Sequence, residues 1–209
     1  MRLCCDIDGV YADWNSAFAR LLISADGNRI PREWWTANRV TPPCWEWDEA
    51  AGYPPEVISS VWRRITSKGS TFWKNLKPLP YAGQVLKRLN GLSSRGHEVV
   101  FLTNRVGWNA KRQTEQWLYD IGGVNYPTVI IAPSGEAKIP ILRNIGADLF
   151  IDDRLETLNE CVRSAVEQGP AWKIHLFLLN TTYNQDDRLG GYQVVDTPQQ
   201  ALETVGLWK

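Results

Sequence analysis

The sequence predicts an α/β protein built on a doubly wound parallel sheet. Short apolar runs alternate with segments of helical periodicity along most of the chain, which is typical of βαβ units. Runs such as residues 99–102 and 129–131 are apolar at consecutive positions, as expected for strands covered by helices on both faces. With 209 residues, the chain is long enough for one such domain with a modest insertion.

The predicted elements begin with a short apolar strand over residues 2–7 and a helix over 13–24, where apolar side chains recur at helical spacing. The alternation resumes later and predicts, in order, helix 81–94, strand 98–102, helix 109–120, strand 128–132, helix 140–144, strand 148–151, helix 155–168 and strand 173–178. Strands that alternate with helices in this way favour a parallel sheet.

Residues 26–77 lack the alternation of apolar runs and helical segments that is seen in the rest of the chain. Five prolines, at positions 31, 42, 43, 54 and 55, break this stretch into short helical pieces such as 55–67, and no strand is expected in it. Two further prolines within residues 76–80 predict a stiff connector back to the sheet. We therefore expect a core domain of residues 1–13 and 78–209, and a helical, tryptophan-rich cap of residues 14–77.

The charge balance argues against a polymeric nucleic acid partner. The chain carries 23 basic and 23 acidic side chains, so no net field attracts a polyanion. Its four cysteines show neither metal-ligand spacing nor a disulfide framework, and no segment resembles a signal peptide or a membrane span. We expect reduced thiols, a cytoplasmic location and no membrane partner. The oligomeric state stays open, with a homodimer as one option.

Chemically useful side chains follow the predicted strands. Three strands end in reactive or anion-binding groups, which are Asp6 and Asp8, Thr103 and Asn104, and Asp152 and Asp153. Lys138 stands between the second and third of these pairs. Because ligands bind at the carboxyl ends of the strands in an open parallel sheet, we expect these side chains to converge at one edge.

Four carboxylates at one sheet edge repel each other unless a positive charge lies among them. Mg²⁺ fits carboxylates combined with phosphate oxygens, and the sequence carries no zinc-ligand pattern. A carboxylate also serves as a nucleophile that forms an aspartyl-phosphate, while a second carboxyl two residues away can protonate the leaving oxygen and then activate water. Each acid alone also fits a helix cap or a turn, so only the combination points to catalysis.

These residues resemble the motifs of the haloacid dehalogenase-like superfamily of phosphotransferases and phosphatases. Residues 6–9 resemble its DxDG motif, and residues 99–104 resemble its second motif, an apolar strand that ends in Thr or Ser. Lys138 resembles the lone basic residue of its third motif, and residues 149–153 resemble its fourth motif, an apolar strand with paired acids. The resemblance implies Asp6 as nucleophile and Asp8 as general acid/base, and an acid at Asp8 favours a phosphatase over a transport ATPase. It also implies phosphate binding by Thr103, Asn104 and Lys138, and Mg²⁺ binding by Asp6, Asp8 and Asp152, with Asp153 in support.

Within that superfamily the chain resembles the 5'(3')-deoxyribonucleotidases. Residues 6–14 are similar to their DxDGVLADF opening, and residues 72–80 look like their return segment from cap to core. The resemblance implies that Trp14 and Trp73 face the nucleobase, whereas most other cap tryptophans are expected in the core of the cap. The chain departs from the family in having Asn104 where Ser is frequent, and in the 14 positions that separate Lys138 from Asp152.

The expected function is Mg²⁺-dependent hydrolysis of (deoxy)ribonucleoside monophosphates through an aspartyl-phosphate, with a small-molecule nucleotide as substrate. One alternative is the same chemistry on another small phosphomonoester, because the cap rather than the core selects the substrate. A second is a catalytically idle scaffold whose tryptophan-rich face binds a partner. A phosphatase acting on polynucleotide ends would need a basic groove, which the balanced charge disfavours.

Overall fold

A computed structural model describes residues 1–169 and 172–208, so positions 170, 171 and 209 of the expected core lie outside the described residues. In chain order the elements are β1 (Arg2–Cys5), α1 (Trp14–Asp26), β2 (Trp35–Thr36), β3 (Arg39–Val40), α2 (Trp47–Ala50), α3 (Pro55–Thr66), α4 (Ala82–Ser93), β4 (Glu98–Thr103), α5 (Ala110–Gly122), β5 (Thr128–Ile131), α6 (Lys138–Asn144), β6 (Leu149–Asp152), α7 (Leu155–Gln168), β7 (His175–Leu179), β8 (Gln193–Val195) and α8 (Pro198–Thr204).

The main sheet has six strands in the order β5-β4-β1-β6-β7-β8. Every neighbouring pair in it is parallel, so the predicted α/β class with a parallel sheet is confirmed. The chain winds outward from β1 in one direction through β4 and β5, and in the other through β6, β7 and β8. The strand order therefore reverses at β1, which creates a crevice at the carboxyl ends of β1, β4 and β6.

Helices cover both faces of this sheet. Leu3 and Cys5 of β1 belong to an apolar cluster with residues of α4, α5 and α8, whereas Cys4 belongs to a second cluster with residues of α6 and α7. Successive side chains of a strand point to opposite faces, so β1 is buried on both. All four cysteines carry free thiols, as expected, and only Cys44 is less than fully buried.

The segment between β1 and α4 contains one feature that the sequence analysis did not anticipate. Residues 26–77, expected to lack strands, form the antiparallel hairpin β2–β3. Its two connecting residues, Ala37 and Asn38, both have positive φ, at 48° and 68°, which is the backbone of the tight turn that joins hairpin strands. The usual signal for such a turn is Asn-Gly or Asp-Gly, and Ala-Asn gives no comparable signal.

This segment leaves the sheet and returns to it at the same place. The Asp13 amide donates to the Lys77 carbonyl at 2.8 Å, and the Leu79 amide donates to the Tyr11 carbonyl at 2.8 Å. Between these two crossings α1 packs against α3 and β3. The two chain segments that connect the insertion to the sheet are thus hydrogen-bonded to each other.

The remaining differences concern element ends and the carboxyl-terminal part of the described chain. The first strand stops at Cys5 rather than residue 7, and α6 begins at Lys138 rather than residue 140. No element was predicted after residue 178, where the short edge strand β8 and helix α8 lie. None of the described helices combines the length and apolar character needed to cross a bilayer.

Candidate active site

A cavity of about 300 Å³ opens where the strand order reverses. All the residues that the sequence analysis selected at the sheet edge line it, namely Asp6, Asp8, Thr103, Asn104, Lys138, Asp152 and Asp153. They come from the carboxyl ends of β1, β4 and β6 and from the first residue of α6. The topology therefore brings together groups that lie up to 147 positions apart in sequence.

Lys138 lies between two of these carboxylates. Its Nζ is 2.9 Å from Oδ1 of Asp6 and 2.8 Å from Oδ2 of Asp152. The second Asp152 oxygen accepts a hydrogen bond from the Arg154 amide at 2.8 Å. All three charged side chains are almost fully buried, so their interactions are poorly screened by solvent.

Burial and mutual repulsion shift the protonation of this group. Burial raises the pKa of Asp6 to about 7; Lys138 opposes this shift, and Asp152 and Asp8 add to it. Burial, with the nearby Asp152 and Asp6 carboxylates, also raises the pKa of Asp153. Burial alone would lower the pKa of Lys138, but Asp152 and Asp6 more than offset that effect, and the pKa is raised. Lys138 therefore does not offset the cost of ionising all of these buried carboxyl groups.

Three of the carboxylates form a group suited to a metal ion. Oxygen atoms of Asp6, Asp152 and Asp153 lie within 4.8 Å of one another. In the part of the chain that the structure describes, Lys138 is the only cationic side chain with an ion-pair contact to them. Three buried carboxyl groups that face a single lysine offer the oxygen donors that a hard divalent cation such as Mg²⁺ prefers, and its charge would favour their ionised forms.

Asp153 is fixed more firmly than the sequence suggested. The Tyr183 hydroxyl donates to its Oδ2, and the Asn184 side-chain amide donates to its backbone carbonyl at 2.8 Å. Gly9 passes so close that a Cβ atom at this position would lie 1.9 Å from Asp153 Oδ2. Tyr183, from the segment after β7, also lines the cavity, and sequence reasoning had not selected it as a site residue.

The Asp8 carboxylate has a different partner. It accepts hydrogen bonds from Arg105 at 2.9 and 3.0 Å and does not belong to the group of close carboxylates. The observed group thus differs from the expected metal ligands, because it includes Asp153, expected only in support, and not the Asp8 side chain. The Arg105 contact was not identified from the sequence, because it depends on how the segment after β4 packs against the segment after β1.

Thr103 is the last residue of β4, and Asn104 follows it. Thr103 is buried at the cavity wall. The Asn104 amide nitrogen donates to the Ala132 carbonyl at 3.0 Å, which ties the end of β4 to the end of β5. The Asn104 side chain is therefore already engaged within the protein.

Aromatic rings form another part of the cavity lining, called the aromatic wall. Trp14, Trp45, Trp62 and Trp73 all line the cavity. Trp14 stacks on Phe18 with ring centroids 4.6 Å apart, and lies 5.9 Å from the Trp62 ring. Trp73 is only 2% exposed, so it offers a ligand far less surface than Trp14. Trp45, Trp47 and Trp62 also line the cavity, but the sequence analysis selected only Trp14 and Trp73, through the family resemblance.

Trp45 connects this wall to the sheet edge. The Arg154 guanidinium lies 4.8 Å from the centroid of its ring, and the Tyr183 ring approaches it edge-on at 5.6 Å. Both Arg154 and Tyr183 lie outside the insertion, in the part of the chain that follows β6. The insertion and the strand ends therefore enclose one shared space.

Comparison with known proteins gives a family match along most of the chain. Residues 1–185 match the family described as 5' nucleotidase, deoxy (pyrimidine), cytosolic type C protein. A Bacillus cereus protein provisionally described as a nucleotidase is 26% identical over 138 residues, which is 66% of this chain and 66% of that protein. The match thus spans just under two thirds of that relative's length.

Solved structures of similar fold include three bacterial hydrolases. A haloacid dehalogenase-like family hydrolase from Streptococcus pneumoniae gives a TM-score of 0.60 at 13% identity, covering 98% of this chain and 97% of its own. A haloacid dehalogenase-like family hydrolase from Xanthomonas campestris gives a TM-score of 0.53 at 8% identity, and the alignment covers 98% of this chain and 94% of that protein. A hydrolase from Pseudomonas syringae gives 0.52 at 16% identity, covering 98% of each chain. This likeness identifies the haloacid dehalogenase-like fold.

Proposed function

The chain belongs to the 5' nucleotidase, deoxy (pyrimidine), cytosolic type C family, and from that premise we propose that it is a Mg²⁺-dependent phosphomonoesterase. Its proposed substrates are (deoxy)ribonucleoside monophosphates, which it hydrolyses to nucleoside and phosphate. One observation carries the proposal: buried carboxyl groups, Lys138 and several tryptophans line a single cavity. At about 300 Å³ the cavity suits a small molecule.

The proposed reaction has two phosphoryl-transfer steps. In the first, the Asp6 carboxylate attacks phosphorus, the bond from phosphorus to the ester oxygen breaks, and Asp8 gives its proton to that oxygen. In the second, water attacks the aspartyl-phosphate, Asp8 takes a proton from the water, and the Asp6 carboxylate is released with inorganic phosphate. Lys138, 2.9 Å from Asp6, and the Thr103 hydroxyl would bind the phosphate oxygens.

Mg²⁺ would be held by Asp6, Asp152 and Asp153, whose oxygens lie within 4.8 Å of one another. Once bound, the ion supplies positive charge that stabilises the phosphoryl oxygens during transfer. Tyr183 and Asn184 hold Asp153 in place for this role. The Arg154 amide does the same for Asp152.

Residues 14–77 act in this proposal as a cap on a core of residues 1–13 and 78–209. The hydrogen bonds from Asp13 to Lys77 and from Leu79 to Tyr11 support boundaries at these positions. A nucleobase would stack on Trp14, whose ring lines the cavity and retains some exposure. The aromatic wall would also exclude water from the reacting phosphate.

Phosphate release from a panel of deoxy- and ribonucleoside monophosphates, with p-nitrophenyl phosphate alongside, tests the proposal. We expect release from nucleotides that requires Mg²⁺ and stops with EDTA. Release from the aryl ester alone would keep the phosphatase chemistry and reject the nucleotide. Absence of release from every ester in the presence of Mg²⁺ would reject the enzyme.

A further inference from the structure

Arg105 is a fully buried cation next to the candidate site. Its side chain has no exposed surface, and it lies two residues beyond the end of β4. Nε is 3.0 Å from Oδ2 of Asp8, and Nη2 is 2.9 Å from Oδ1. Two parallel hydrogen bonds of this kind fix both the distance and the plane of a carboxylate.

A cage of neighbours fixes the guanidinium in turn. Nη1 donates to the Thr114 hydroxyl at 3.1 Å, and the rings of Trp73 and Trp117 lie 5.3 and 5.6 Å from the guanidinium carbon. The Trp73 indole donates to the Val106 carbonyl at 2.9 Å. Arg105 therefore cannot rotate without breaking several buried contacts at once.

Arg105 reaches the cavity only through Asp8. The Arg105 side chain is not part of the cavity lining, whereas Asp8 is, and the Asp8 side chain is 21% exposed. A direct contact between Arg105 and substrate would require the cage to open. Lys138, which faces the cavity between Asp6 and Asp152, is instead the cation placed for the phosphate.

We propose that Arg105 is a positioning residue that aims the Asp8 carboxyl group at the leaving oxygen; this inference rests on the proposed function. The guanidinium also stabilises the carboxylate that Asp8 becomes as its proton moves to that oxygen. Trp73 belongs to the cage, so the cap contributes to the orientation of Asp8. Packing against the Arg105 guanidinium is a role that Trp73 can fill although it is almost completely buried.

The inference predicts an effect that depends on the leaving group. A nucleoside leaves as an alcohol and needs a proton, whereas p-nitrophenolate leaves without one. Loss of Asp8 orientation therefore slows aspartyl-phosphate formation from a nucleotide far more than from p-nitrophenyl phosphate. The quantity kcat/KM reports on this first step for both substrates. A purely structural role of Arg105 would lower both values alike.

The test compares Arg105→Lys with wild type on a deoxynucleoside monophosphate and on p-nitrophenyl phosphate. Arg105→Lys keeps the charge but not the paired hydrogen bonds. We expect kcat/KM to fall by about a hundredfold or more for the nucleotide and by less than about tenfold for the aryl ester. Arg112→Lys, an exposed position on the neighbouring helix α5, is the matched control and should leave both values within about twofold.

A second variant covers the case in which Arg105→Lys does not fold. Thr114→Val has nearly the same shape, leaves Arg105 and Asp8 intact and removes one anchor of the guanidinium. It should lower kcat/KM for the nucleotide about three- to tenfold more than kcat/KM for the aryl ester. Equal losses on both substrates, or no loss on either, in a folded variant would overturn the role of Arg105.

A double-mutant cycle separates action through Asp8 from an independent effect. Asp8→Asn removes the acid, so adding Arg105→Lys should lower the nucleotide kcat/KM by no more than about twofold further. An additive loss would overturn the inference while leaving the proposed function intact. A wild-type protein that releases no phosphate from any nucleotide would instead overturn the proposed function, and this inference with it.

Discussion

The chemistry proposed for Asp6 depends on its immediate surroundings. The carboxylate is buried, shares Lys138 with Asp152, and has a pKa raised to about 7 chiefly by burial. Lys138 holds the poorly solvated Asp6 carboxylate at the cavity, but it shares its positive charge with Asp152 and so does not fully neutralise Asp6. In the proposed mechanism, these contacts hold the Asp6 carboxylate in position to attack phosphorus.

Replacement of Asp6 by Asn should abolish turnover without unfolding the protein. Asn has the same shape but cannot form the acyl-phosphate, so kcat should fall by at least about a thousandfold. Removal of a buried charge beside Asp152 should leave the melting temperature unchanged or higher. Asp120→Asn, on the exposed face of α5, is the control. An Asp6→Asn protein that keeps wild-type phosphate release would contradict the assigned nucleophile.

Position 9 requires glycine for two reasons, its positive φ and the lack of room for a Cβ atom. Its φ of +78° favours glycine, and an added Cβ would lie 1.9 Å from Asp153 Oδ2 and 2.8 Å from the Tyr183 hydroxyl. Gly9→Ala should therefore destabilise the fold by about 1–3 kcal/mol and lower phosphate release by displacing Asp153.

Gly52→Ala separates these two effects. Gly52 has the same φ of +78° but has no atom near its Cβ position. Thermal unfolding should show a loss of stability for both variants, whereas phosphate release should fall only for Gly9→Ala. Equal activities in the two variants would show that the close approach to Asp153 has no functional importance.

At the scale of elements, the sheet edge was predictable because two independent signals coincide there. Consecutively apolar runs identify β1, β4 and β6, and each is followed by acids or a hydroxyl. The contacts of Arg105 and Tyr183 were not predictable, because they depend on how segments far apart in sequence pack together. The hairpin β2–β3 was missed because its turn is Ala37-Asn38, which lacks the glycine that usually marks such a turn.

The aromatic wall, which is formed by tryptophans between residues 14 and 73, should determine substrate preference. Stacking of one base contributes about 1–3 kcal/mol, so Trp14→Ala should raise KM for a deoxynucleotide by about tenfold. KM for a simple alkyl phosphate should change little. Trp108→Ala, which removes a half-exposed ring outside the cavity, should alter neither value. Equal effects of Trp14→Ala on both substrates would refute base stacking.

At the scale of the molecule, the insertion and the sheet share one apolar cluster. Trp47, Val61 and Trp73 of the insertion belong to the same buried cluster as Leu3 and Phe101 of the sheet. The insertion is therefore attached to the sheet by shared apolar packing as well as by its two connecting segments. The balanced total charge leaves the local excess of carboxylates as the main electrostatic feature of the cavity.

This excess predicts that Mg²⁺ stabilises the folded protein. A ligand at one hundred times its dissociation constant adds about 2.7 kcal/mol to the free energy of unfolding, which corresponds to a rise in Tm of about 5–10 °C at this chain length. Asp152→Asn should abolish the rise, and Asp120→Asn should retain it. A Tm of the wild type that does not respond to Mg²⁺ would contradict the metal site.

The central claim, a phosphorylated Asp6, can be measured most directly in the Asp8→Asn variant with ³²P-labelled p-nitrophenyl phosphate and Mg²⁺. This substrate needs no acid for its first step, and the variant lacks the base for the second, so the intermediate should accumulate. We predict a burst of about one p-nitrophenolate per protein chain, with a hydroxylamine-labile label on the peptide that contains Asp6. Nitrophenolate release without a burst and without label, or label on another peptide, would contradict the account.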